Sequence, residues 1–244
     1  MTIFCATCIA QFASSAWAQC TARDVLQRQL MHGGNAQAVA PPEPLIESAH
    51  EVPTWRTIEL GNFADPVALR NKLDAMGCGV GGEAAEVLAR PAFTVSPSRQ
   101  AVELVVVSPT QLGFTSETVT LAAVYKRARQ LGFELAAAEV GPQLRIQYLD
   151  QPLGEFLTIG MEAIKTWEGE PTILSVANGG AGLILIGQDG RADAEVPVSS
   201  RFVFAQPPRQ VPGSEQTSRI ANGVTRTERN ARPANQHRGS EITH

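Results

Sequence analysis

The hydrophobic pattern changes period at Gly132, and this constrains the fold more than any other feature of the chain. Before Gly132, apolar residues recur every three to four positions; after it, they alternate. Asp65 followed by Pro66 predicts a helix start, with Asp as N-cap and Pro in the first turn. Val67, Leu69, Leu73 and Met76 supply its apolar stripe, and Gly77 stops it. A second helix is predicted over 83–89, ended by Arg90 and Pro91. A third over 120–131 places Leu121, Val124, Tyr125, Ala128 and Leu131 on one face, with Gly132 as its stop. Two strands fall among these helices, at 57–60 and in the valine-rich run 102–107.

After Gly132, strands are predicted over 133–137, 143–149, 156–164, 172–177, 183–187 and 200–204. Turn residues punctuate them: Gly141-Pro142, Gln151-Pro152, Gly169, Asn178-Gly179-Gly180 and Asp189-Gly190. The expected class is α+β, with helices from the N-terminal half packed on an antiparallel β-meander from the C-terminal half. No repeat of 20–50 residues is visible.

The ends read differently. Residues 1–30 are an apolar leader in which Ala16-Trp17-Ala18 fits a signal-peptide cleavage site before Gln19. No Lys or Arg precedes Arg23, so a basic n-region is missing, and Met31 offers an alternative start with nothing before it looking needed by the domain. The stretch is too short and polar to span a membrane. Residues 31–51 carry Gly33-Gly34 and Pro41, Pro42 and Pro44, which is linker chemistry. Residues 52–205 have the size of one domain. Residues 206–244 hold six Arg, three Glu and almost no large apolar side chains, and are expected to be a disordered tail. The absent n-region and the lack of a disulfide framework favour the cytoplasm; export after cleavage before Gln19 is the alternative.

Composition restricts the chemistry. With a net charge of -4, the chain has no general attraction for nucleic acid. Between Val52 and Ala205 there is no histidine, and Cys78 is the single cysteine. A Ser-His-acid or Cys-His nucleophile cannot be assembled there, nor a zinc site with several Cys or His ligands. Cys5 and Cys8 have CxxC spacing but lie in the leader, without a partner pair. If the leader is cut, Cys20 and Cys78 remain as one possible bridge. Gly77 to Gly82 superficially resembles a phosphate loop, but it follows a helix and lacks the Gly-Lys-Ser/Thr ending. No cofactor is expected.

The segment AEVGPQLRIQYLDQPLGE, residues 138–155, stands out. Read as a strand, it sends Leu144, Ile146 and Tyr148 to one face and Gln143, Arg145 and Gln147 to the other. A turn at 150–153 would pair 144 with 159 and 146 with 157, setting Arg145 opposite Thr158 with Glu162 further along the polar face. A planar guanidinium between two amides, with Glu139 or Glu162 near, suits recognition of a carboxylate or phosphate. The alternative is a plain polar outer face of a half-buried sheet. The expected binding residues are therefore Glu139, Gln143, Arg145, Gln147, Thr158 and Glu162.

The segment also resembles the signature of a recurrent bacterial family of hypothetical proteins. The resemblance covers residues 54–204 and includes Arg90-Pro91-Ala92-Phe93, Leu112-Gly113-Phe114, Tyr125-Lys126-Arg127-Ala128 and Gly160-Met161-Glu162. Phe156 stands where the signature suggests Trp. The resemblance implies a self-contained bacterial domain and no particular reaction. Two functional expectations follow from the residues. One is a non-enzymatic interaction domain that takes a protein or small anion at the Arg145 face. The other is a carboxylate-based hydrolase using Glu139, Glu155 or Glu162, possible with Mg²⁺.

Overall fold

The computed structural model describes residues 19–31 and 44–207. Residues 1–18 of the leader, with Cys5 and Cys8, residues 32–43 of the linker, and the expected tail from 208 onward lie outside these residues. Five helices and a mixed, strongly curled half-barrel sheet of eight strands make an α+β fold. The helices are α1 (Ala22–Met31), α2 (Pro66–Ala75), α3 (Gly82–Ala89), α4 (Leu121–Gln130) and α5 (Val140–Gln147). The strands are β1 (Arg56–Leu60), β2 (Gly79–Val80), β3 (Gln100–Val107), β4 (Thr118–Thr120), β5 (Phe156–Ile159), β6 (Ile164–Lys165), β7 (Pro171–Asn178), β8 (Leu183–Asp189), β9 (Glu195–Pro197) and β10 (Phe202–Ala205).

The helix signals upstream of Gly132 act as their chemistry dictates. Asp65 accepts the Ala68 N–H at 2.8 Å and caps α2, whose Leu69 and Leu73 are wholly buried. Thr120 caps α4 through the Ala123 N–H, and α4 buries Leu121, Val124 and Ala128. Val67 departs from the expected stripe and is exposed.

The sheet runs in the order β1-β3-β10-β5-β7-β8-β2, with β6 also on β7; β4 and β9 form a separate pair. It is not an antiparallel meander. β10 lies parallel to β5, and β2 lies parallel to β8. β10, the last strand among the described residues, inserts between β3 and β5 instead of adding at an edge. Both β7 beyond Pro171 and all of β10 are buried, as strands covered on both faces must be. Residues 133–137 contribute only an isolated bridge, Glu134 to Ala205.

The largest correction is at 143–149, which is helix and turn rather than strand. Val140, Leu144 and Tyr148 are spaced by four, so one row satisfies both a period of two and a helical stripe. All three are buried. Pro142 falls in the first turn of α5, where a backbone N–H would have no helical partner anyway.

The N-terminal segment packs into the same core, contrary to the expectation that nothing before Met31 is needed. Cys20 and Cys78 form a disulfide and are both buried. The Cys20 N–H donates to Met76 O at 3.1 Å, and Cys20 O accepts the Leu183 N–H at 2.9 Å. Val25 of α1 joins the core. Gly182, at φ +111°, permits the approach: a Cβ there would lie 2.5 Å from Cys20 O.

The bridge closes a separation of 58 residues. Replacing both cysteines by alanine is expected to lower the unfolding free energy by about 4 kcal/mol, the loop-entropy value for that separation. Urea denaturation of the two proteins checks it; equal stability would show that the bridge adds nothing.

Candidate functional site

The six expected binding residues do not share a face. Helix α5 divides them between two buried networks, and the remaining two lie elsewhere. Glu139, Gln143 and Gln147 follow one another at helical spacing along the start and length of α5. The Glu139 carboxyl is fully buried and accepts the Gly61 N–H at 2.9 Å, the Ser96 N–H at 2.7 Å and the Gln143 amide at 3.1 Å. Gln143 in turn accepts from Gln147 at 3.0 Å. The Gln147 amide then binds both backbone groups of Glu59, donating to its C=O at 2.9 Å and accepting its N–H at 3.0 Å. A side chain thus completes the ladder on the outer edge of β1, the end strand of the sheet.

Arg145 is fully buried, and the polar sheet face expected around it is absent. Its Nη1 donates to Gln151 Oε1 at 2.5 Å and to Ala177 O at 3.3 Å, and its Nη2 donates to Tyr148 O. Gln151 passes the link onward, donating to Glu155 O at 3.1 Å and Val176 O at 3.2 Å. Asn178 donates from its side chain to Gln151 O at 2.8 Å. These bonds fasten the turn after α5 to the end of β7, which sets where β5 begins.

The three carboxylates of the hydrolase reading have separate partners. Glu139 holds backbone N–H groups as described. Glu155 accepts the Tyr148 hydroxyl at 2.7 Å and Arg201 at 2.5 Å. Glu162 is exposed and pairs with Arg129 at 2.6 Å. Among the described residues, no group of three or more His, Cys, Asp or Glu is placed to hold a metal ion.

Thr158, of the expected residues, lines a cleft. A cleft of about 520 Å³ lies between β5, the end of β8, the β9 segment and the start of β10. Its size falls within the range of small-molecule pockets. Thr158 accepts from Ser175 at 3.1 Å and donates to Gln188 Oε1 at 3.3 Å. Asp189 and Arg191 pair through three side-chain contacts, at 3.1, 3.0 and 2.7 Å, and Asp189 also accepts the Arg191 backbone N–H at 2.9 Å. The Arg191 hydrogen bonds hold the Asp189 carboxyl below the usual carboxylate range. Asp193, Glu195, Val196 and Pro197 make the far wall, and the half-exposed Phe156 ring the near one. Sequence reading took Asp189-Gly190 only as a turn. The cleft is assembled from segments up to 46 positions apart in sequence, counting from Phe156 to Phe202, and local periodicity carries no trace of it.

Two outcomes test these networks. Arg145→Ala leaves Gln151 and two backbone carbonyls without their donor and opens a cavity; it is expected to cost roughly 3 kcal/mol or more in chemical denaturation. A loss below about 1 kcal/mol would mark Arg145 as a surface residue after all. The chain has two tyrosines, and both resist ionisation: burial raises Tyr125, and burial with the hydrogen bond to Glu155 raises Tyr148. A raised folded pKa contributes stability that is intact below the unfolded value of 10.0 and is lost as pH rises beyond it. Tyrosinate absorbance is therefore expected to appear together with unfolding, not as a separate native titration near that pH.

Compared with family models, with curated proteins and with solved structures, the chain matches none, so the reading of its site rests on geometry.

Proposed function

We propose that this chain is a non-catalytic binding module whose ligand sits in the cleft between β5, β9 and β10, and that it works after export. The cleft carries the first part of the reading. Its volume suits a small molecule, and Gln188 keeps its amide nitrogen and Ser200 its hydroxyl available for a ligand. Between Val52 and Ala205 there is no histidine, and the one cysteine, Cys78, is tied up in the disulfide, so neither group serves there as nucleophile or base near neutral pH. Arg191 and Arg201 are each held by a carboxylate, Asp189 and Glu155, so the cleft gives a small anion little to bind.

The disulfide supports export. Cleavage after Ala18 would remove Cys5 and Cys8 and leave only Cys20 and Cys78, the two that are bonded. A buried bridge of this kind persists in oxidising compartments.

Two measurements test the proposal. Mass spectrometry of the protein from bacterial expression is expected to give an N-terminus at Gln19; a retained leader overturns export. Amide chemical shifts recorded against a library of small fragments are expected to move around Thr158, Gln188 and Ser200. Shifts confined to other surfaces overturn the cleft.

A further inference from the structure

We propose that the ligand of the cleft is an uncharged carbohydrate, bound with one sugar face on Phe156 and its hydroxyls on the polar wall. The inference rests on the cleft being the binding site and specifies the chemistry of its occupant.

Charge argues against the two simpler ligand classes. Both signs are interspersed around the opening: Asp189, Asp193 and Glu195 against Arg191 and Arg201. An anion meets three carboxylates, and the two guanidinium groups are already engaged. A cation meets two arginines, and Asp189 is committed to one of them. A neutral ligand escapes both conflicts and still has donors and acceptors to use.

The polar groups suit vicinal hydroxyls. A sugar hydroxyl both donates and accepts, and adjacent hydroxyls match planar groups such as amides, carboxylates and guanidinium edges. The cleft presents Gln188 and Ser200 beside the Asp189–Arg191 pair. The apolar side has its own match. The Phe156 ring is 49% exposed at the start of β5, with no aromatic partner among the described residues. Sugar rings carry an apolar C–H face that covers such a ring, and the exposed face is otherwise a cost in water.

The test uses the full disulfide-bonded chain with maltotetraose, cellotetraose and chitotetraose as neutral probes and spermidine as a cationic one, followed by calorimetry and amide shifts. At least one oligosaccharide is expected to bind, moving Gln188 and Ser200, with affinity unchanged by salt because no net charge is neutralised. Phe156→Ala should weaken it about tenfold, the order expected for one aromatic contact. Trp167→Ala, which removes another exposed aromatic ring outside the cleft, should leave affinity unchanged. Salt-sensitive binding of spermidine alone, with shifts in the cleft, would overturn the carbohydrate assignment and keep the cleft. Failure of every probe to move cleft residues would overturn both. Loss of sugar binding in Trp167→Ala, with Phe156→Ala binding normally, would place the sugar elsewhere and likewise overturn the proposal.

Discussion

A buried guanidinium holds the middle of this molecule together. Removing Arg145 from water is costly, and its bonds to Gln151, Tyr148 and Ala177 help to offset that cost. The interaction acts as a fastening between elements. It fixes the end of α5, the turn that follows, and the end of β7 in one arrangement. Because β5 starts directly after that turn, the same fastening determines where Phe156 and Thr158 stand. The proposed binding site thus depends on a residue that does not touch it.

Glu139 works by a related principle on the other side of α5. Its carboxyl gathers N–H groups from two loops, at Gly61 and Ser96, that are distant in sequence. Loop backbone carries polar groups that must be satisfied once buried. A carboxyl with several acceptor sites can satisfy two of them and leave room for Gln143. The chain from Glu139 through Gln143 to Gln147 then reaches the edge of β1, so one helix face organises both loops and a strand edge.

Much of the fold was legible because capping and stop signals are local. Asp65, Gly77 and Gly132 act within a few residues of themselves, and with the apolar stripes they placed α2 and α4 closely. The α+β class followed from the change of period at Gly132. What failed was a row of residues four apart. Val140, Leu144 and Tyr148 fit a strand and a helix equally, and only the glycine-proline start of the segment pointed to a helix. That one misreading displaced the candidate site, since it turned two buried networks into an imagined polar face. Thr158 reached the cleft because β5 was read as a strand from its correct first residue. The rest of the cleft depends on strand order, which no local pattern encodes, and the parallel placement of β10 had no sequence signature.

That placement has a consequence for how the chain acquires its structure. Among the described residues β10 is the last strand to be synthesised, yet it joins β3 and β1 on one side to β5, β7 and β8 on the other. Until Phe202 to Ala205 pair, the inner edges of β3 and β5 lack the strand that joins them. Contacts of such long sequence separation form slowly, after most of the chain has been made. The same topology leaves those edges exposed to wrong pairing in the interval, so assembly and aggregation compete for the same strand edges.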